Sequence, residues 1–265
     1  MKKFNYHFPN NLEDGYKIFK SSEFPQYLAG GMTILPSIKQ GLSFPSDLID
    51  ISNFKEIKGI KESNNNIVIG SLTTHNEVAK SDFIKKEIPG LAFLASKIAD
   101  NAIRNSGTIG GSICNADPAA DYPAALVSLK ALLVTNLRKI DSRDFFIDMF
   151  ETALQEGEIV KYVIFPKKKS SFYEKFSSQA SKYAIVGAFL TESTGLISVA
   201  ITGASNKVFI IQELESLSIN EAINFDLNKI NFSRYNINSD LNGSVEYRIS
   251  LIKNLTSKLI LKIKK

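Results

Sequence analysis

Residues Gly107–Asp121 read GTIGGSICNADPAAD. Three glycines, Thr108, Ser112 and Asn115 fall in the first nine residues of this stretch. Glycine has no Cβ, so backbone N–H groups in such a turn can approach an anion closely. Thr108 and Ser112 add hydroxyl donors. Asp117 and Asp121 are poor phosphate ligands but good acceptors for ribose hydroxyls. The stretch reads as a nucleotide site, with N–H groups for a diphosphate and a carboxylate for a sugar. The alternative is a Gly-rich turn that joins a helix to a strand and holds no ligand.

A second glycine turn lies near the N-terminus, where Tyr27–Leu35 read YLAGGMTIL. A short strand runs into Gly30-Gly31, then a hydroxyl residue, then apolar residues again. Neither turn has the GxGxxG or GxxxxGK[ST] spacing, so neither a nicotinamide Rossmann site nor an ATP site is supported. Two anion-cradling turns suit one diphosphate gripped from both sides.

The 265 residues allow two modest domains. Hydrophobic and charged fractions of 44% and 22% are ordinary for a soluble protein. No apolar run nears the ~18 residues that span a membrane, and no apolar stretch follows the basic start Met1-Lys2-Lys3 as a secretory signal requires. A cytoplasmic protein without a membrane span is expected. One cysteine, Cys114, excludes an internal disulfide and a self-contained Cys₄ iron–sulfur cluster. Two histidines, His7 and His75, leave little for zinc. The net charge of +5 includes lysine clusters at 167–169 and 262–265, read as solvated surface rather than a nucleic-acid face. No Ser sits in GxSxG and no nucleophilic triad or metal cluster is evident, so no catalytic or metal-binding residue is assigned.

The patterning predicts a helix after Asn10-Asn11 through Phe19 and a helix or extended segment over Ile34–Lys39. Strands are expected at Leu48–Ile51, Ile67–Gly70 and Ile159–Phe165. The spacing of Leu91, Leu94, Ala95, Ile98, Ala99 and Ala102 predicts one helix leading into the second glycine turn. Asp121 precedes Pro123 and reads either as the N-cap of a helix over Ala124–Leu129 or as a sugar ligand. Pro166 and the lysine run mark a domain boundary. Beyond it, three strands are expected at Phe172–Ser177, Ala184–Thr191 and Leu196–Thr202. Helices are expected at Lys207–Leu217, around Glu221 and at Glu246–Lys264, forming a helix layer on one face of an antiparallel sheet.

Four blocks carry a resemblance to a known family: Phe4–Pro9, Ala29-Gly30-Gly31, Ile103–Gly111 with Ala116–Asp121, and the weaker set Tyr173–Phe176, Gly203 and Tyr247-Arg248. The chain resembles the FAD-binding medium subunits of molybdenum hydroxylases, of the carbon monoxide dehydrogenase, xanthine dehydrogenase and aldehyde oxidoreductase types. The resemblance implies an α+β fold. A two-part FAD-binding domain of the vanillyl-alcohol-oxidase/PCMH type spans 1–166, with subdomains of about 1–53 and 54–166. A smaller α+β domain with a three-stranded antiparallel sheet and helices spans 167–265. It implies FAD as cofactor, held at Ala29, Gly30, Gly31, Met32, Thr33 and Ile34 in the first loop and at Thr108, Gly110, Gly111 and Ser112 in the second. Asn115, Asp121, Val160 and Lys175 fall at further cofactor positions, and Tyr183 where an aromatic residue covers the isoalloxazine. Met32 and Thr33 depart from the family's pair of polar residues, which leaves any hydroxyl contact there to Thr33. The Lys175 cation would stabilise a reduced flavin, or else is a surface lysine. Arg104 would anchor the turn through carbonyls, and Cys114 would be a small buried residue. In this family an iron–sulfur subunit and a molybdenum-cofactor large subunit are the partners, and electrons pass through FAD to NAD or another acceptor. A free-standing FAD oxidoreductase and a non-redox nucleotide-binding protein are the alternatives.

Overall fold

The computed structural model describes residues 2–263. The chain begins with alternating strands and helices. Strands Asn5–His7, Pro25–Leu28 and Asp47–Asp50 form a parallel sheet with the third strand in the middle. Parallel neighbours need crossover helices, here Leu12–Ser21 and Ile34–Lys39. Asn11 caps the first of these by accepting the Asp14 N–H at 2.9 Å, and Glu13 and Asp14 follow in its positive first turn. Ile34–Lys39, open between helix and extended chain in the sequence, is a helix.

A five-stranded antiparallel sheet follows, in the order Ile60–Ser63, Asn66–Gly70, Val160–Pro166, Leu132–Thr135, Lys139–Asp141. From its second strand the chain makes a long excursion through six helices, His75–Lys80 to Tyr122–Ser128, before it returns as the fourth, Leu132–Thr135. Ile67, Ile69, Leu133, Val163 and Phe165 of the sheet pack with Leu91, Leu94, Ile113 and Leu126 of the helices in one buried core. The single helix expected over 91–102 is two. Pro89–Ser96 ends, Ala99 turns left-handed with φ of 40°, and Asp100 caps Asn101–Ser106 by accepting the Ile103 N–H at 2.9 Å. Arg104 does bond carbonyls, but those of this break: its Nη1 donates to Ile98 O at 2.5 Å and to Ala99 O at 2.9 Å. An N-cap and two carbonyls held by a guanidinium outweigh the apolar periodicity that runs through the break.

The last sheet is antiparallel, in the order Ser171–Ser177, Ala184–Ser193, Leu196–Thr202, Phe209–Ile210. It has four strands where three were expected. The helix predicted over 207–217 is instead a short edge strand and turns, with Ile211 N–H on Val199 O at 2.9 Å. The run Val208–Ile211 is β-branched and aromatic, and burial of Ile211 in the sheet's core decides between the two readings. Both faces are covered rather than one. Tyr173, Phe189 and Ala200 face the helices of the middle region, while Val186, Ala188, Leu190, Val199 and Ile201 face Ile252, Leu255 and Leu259 of the long helix Val245–Ile263. Two-sided burial is why these strands read as unbroken apolar runs. The expected end of the last helix at Lys264 lies outside the described residues. Among the described residues no helix is long and apolar enough to cross a membrane.

Candidate functional site

A cleft of about 830 Å³ opens where the parallel sheet, the middle sheet and the last sheet meet. That volume is in the range of sites that take a drug-sized or cofactor-sized ligand. Its walls include Ala29 to Ile34, Thr108, Gly110, Gly111, Ser112, Asn115, Asp121, Val160 and Tyr183. The structure therefore brings together every residue expected at the site except Lys175.

The two glycine stretches serve different purposes. In the first, the N–H groups of Gly30, Gly31, Met32 and Thr33 donate to nothing among the described residues. Gly31 takes φ of +73°, which turns this row of donors into a concave nest open to the cleft. Gly30 is required for a different reason: a Cβ there would lie 2.0 Å from the Ser106 carbonyl oxygen. The first loop thus rests directly on the backbone that leads into the second. The exposed Met32 side chain and an unbonded Thr33 hydroxyl complete this wall.

The second stretch is not an open turn but the start of a helix, Ile109–Asn115, capped by Thr108. Its N–H groups are used within the protein. Ile109 donates to Thr73 O at 3.0 Å, Gly110 to Ser71 O at 2.8 Å and Gly111 to Thr108 Oγ1 at 3.0 Å. Gly110 is a packing glycine, since a Cβ would meet Ser71 at 2.5 Å. This stretch offers the cleft side chains instead: the Ser112 hydroxyl and the Asn115 amide make no hydrogen bond among the described residues.

Asp121 does not cap its helix. Its backbone is αR and its side chain makes no capping bond. The carboxylate instead accepts Tyr173 Oη–H and takes Lys175 Nζ at 2.9 Å on Oδ1 and 3.1 Å on Oδ2. Burial raises Asp121 above the usual carboxylate range, with Lys175 and Tyr173 pulling it back. Tyr183 stands half-exposed at the mouth, its phenol raised by burial and by the Asp117 and Asp121 carboxylates. Lys175 is neither a surface lysine nor part of the cleft wall: its side chain is 7% exposed and its ammonium is bonded to protein oxygens.

Cys114 is exposed, not buried, and lines the cleft. Several wall residues were not anticipated. The segment Leu154–Ile159 lines one side, with Gly157 at φ of 80° under Tyr16 and Phe19. His75 is buried in the floor, Nδ1 at 3.3 Å from Tyr122 Oη, and burial lowers its imidazole to about 4. Pairing with Gly107, whose carbonyl accepts the His75 N–H at 3.0 Å, places it there, and no local sequence signal marks that contact.

Neutral His75 couples stability to pH. Unfolded, it takes a proton near 6.5; folded, it resists until about 4. Between those values the unfolded chain binds more protons, so stability falls as pH falls, by about 1.4 kcal/mol per pH unit from this group. Urea unfolding across this window should show that slope in the parent, and His75→Phe should flatten it. An equal acid slope in both proteins would rule out His75 as its source.

Residues 2–168 match the family described as "FAD binding domain in molybdopterin dehydrogenase". The chain is 31% identical to the glyceraldehyde dehydrogenase medium chain of Sulfolobus acidocaldarius, over 97% of this chain and 96% of that protein. It is 32% identical to the carbon monoxide dehydrogenase medium chain of Afipia carboxidovorans, over 77% and 74% of the two chains. Among solved structures, a chain of carbon monoxide dehydrogenase from Hydrogenophaga pseudoflava superposes with a TM-score of 0.86 at 26% identity, covering 97% of this chain and 96% of that one. A chain of quinoline 2-oxidoreductase from Pseudomonas putida 86 does so with 0.89 at 25% identity, covering 99% and 98%.

Proposed function

The chain belongs to the family of FAD-binding domains of molybdopterin dehydrogenases, and from this we propose that it is the FAD-carrying electron-transfer subunit of a heteromeric molybdenum hydroxylase. The observation that carries the reading is the row of unused N–H donors over Gly30–Thr33, set in a cleft of about 830 Å³. A concave row of free backbone donors suits a diphosphate, whose charge it meets without a competing side chain. The Ser112 hydroxyl and Asn115 amide would offer further polar contacts from the adjoining second stretch, and Asp121 an acceptor for a hydroxyl. Tyr183, at the mouth, would cover a flat ring and exclude water from it. Bound FAD would supply the electron-carrying chemistry that no side chain of this protein provides.

In this reading residues 1–166 are a two-part FAD-binding domain of the vanillyl-alcohol-oxidase/PCMH type, with parts of about 1–53 and 54–166, and 167–265 are the C-terminal domain. The subunit works in the cytoplasm. It takes electrons from an iron–sulfur subunit, itself fed by a large molybdenum-cofactor subunit, and passes them to NAD or another acceptor. Two facts support the division of labour. A Cys₄ cluster needs more thiols than the single Cys114. Relatives over nearly the whole chain are named as a medium chain and a medium subunit.

The purified chain should show the visible absorption of oxidised flavin. By itself it should oxidise none of the candidate substrates: carbon monoxide, purines, aldehydes or N-heterocycles. The complex isolated with its partner subunits should oxidise one of them. Sustained turnover by the pure chain would favour a free-standing oxidoreductase, and absence of flavin in both preparations would favour a non-redox role.

A further inference from the structure

We propose that Lys175 is a positioning residue that fastens the two lips of the cleft mouth together, and so sets how long FAD stays bound without touching it. The proposal rests on the reading of the cleft as the FAD site.

Lys175 lies on the strand Ser171–Ser177, with its ammonium buried behind the mouth. An ammonium has three N–H donors and no acceptor. All three are matched by oxygens from three separate segments: Lys97 O at 3.0 Å, Lys182 O at 3.0 Å and Asp121 Oδ2 at 3.1 Å. The two carbonyls belong to the two lips. Ile98 and Ala99 line the cleft on one side, Ser181, Lys182 and Tyr183 on the other.

Each lip carries a residue other than glycine in the left-handed region, Ala99 at φ of 40° and Lys182 at φ of 62°. Such turns persist only where their surroundings hold them. The first lip has a second tie, since Arg104 holds Ile98 O and Ala99 O. The second closes mainly on itself, with Ser178 N–H on Tyr183 O and Lys182 N–H on Ser178 O, both at 3.0 Å. Lys175 is the side chain that joins this turn to the opposite lip and to Asp121.

The test separates the clamp from the charge pair. Lys175→Met alone leaves Asp121 unpaired and endangers folding, so the informative comparison is Asp121→Asn against Asp121→Asn/Lys175→Met. Both lack the buried carboxylate, and only the first keeps the ties to the lips. Two quantities are read on the full chain: FAD release after dilution, by recovery of flavin fluorescence, and native-state tryptic cleavage after Lys182 in the FAD-free protein. The double variant should release FAD about tenfold faster or more, the expected scale for losing two hydrogen bonds from a charged donor. Cleavage after Lys182 should rise while cleavage after Lys207, away from the mouth, stays level. An unchanged release rate overturns the proposal, as does a rise in cleavage at both lysines, which marks general loosening. If the parent retains no FAD, the reading of the cleft fails on its own, and cleavage after Lys182 still decides the clamp.

Discussion

Replacing Gly30 with alanine should cost the protein its FAD. A Cβ at Gly30 would sit 2.0 Å from the Ser106 carbonyl oxygen and 2.9 Å from the Gly107 Cα. These are backbone atoms, so no rotamer change relieves the clash. The first loop must move off the second, and the donors of Gly30–Thr33 move with it. Overpacking costs about 1–3 kcal/mol of stability even where side chains can adjust, and donors displaced from the diphosphate should lower FAD affinity by roughly ten- to hundredfold. Gly111→Ala is the comparison. There a Cβ would approach only Thr108 Oγ1 at 3.1 Å and Ala29 Cβ at 3.9 Å, in the gap between the two loops. It should leave the melting temperature nearly unchanged and weaken FAD more gently. Isothermal titration with FAD and thermal unfolding of both variants read this directly. A Gly30→Ala protein that binds FAD like the parent would show that the first loop does not hold the diphosphate.

The sequence made the cleft's materials legible but not their assignment. Both glycine stretches stood out because glycine clusters are a local signal, and both lie on the cleft wall. Which of them keeps its N–H groups free was not readable. That depends on Ser71 and Thr73, whose carbonyls lie nearly forty residues earlier and take the Ile109 and Gly110 donors. Asp121 shows the same limit. Its position before Pro123 is a good capping signal, yet Tyr173 and Lys175, more than fifty residues later, claim its carboxylate. Two elements were misread for opposite reasons. Residues 91–102 keep helical periodicity across a break that Asp100 and Arg104 impose, and residues 207–217 have an apolar run that periodicity alone cannot assign. The segment Leu154–Ile159 carries little local signal and becomes a wall only because the sheets converge beside it.

At neutral pH, Lys175→Met should lower the unfolding free energy of the FAD-free protein by about 3–5 kcal/mol, because it strands a buried carboxylate. The side chains of Lys175 and Asp121 are only 7% and 5% exposed, so water screens little of the pair. Burial already holds Asp121 above its ordinary value, and loss of the ammonium raises it further. The folded variant then keeps a proton that the unfolded chain releases above 3.8. Stability from such a raised acid is fully present below the unfolded value and is lost as pH rises through the folded one. The deficit of the variant against the parent should therefore shrink as pH falls from neutral towards the unfolded value. His75 contributes equally to both proteins and cancels in that difference. Adding Asp121→Asn should recover most of the loss, and the difference between Asp121→Asn and Asp121→Asn/Lys175→Met should be independent of pH, since neither protein keeps a carboxylate at 121. Urea unfolding of the four proteins at several pH values measures each term. A deficit that stays constant with pH, or that survives Asp121→Asn in full, would mean that the lysine's packing and its bonds to Lys97 O and Lys182 O, and not the buried charge, hold this part of the fold together.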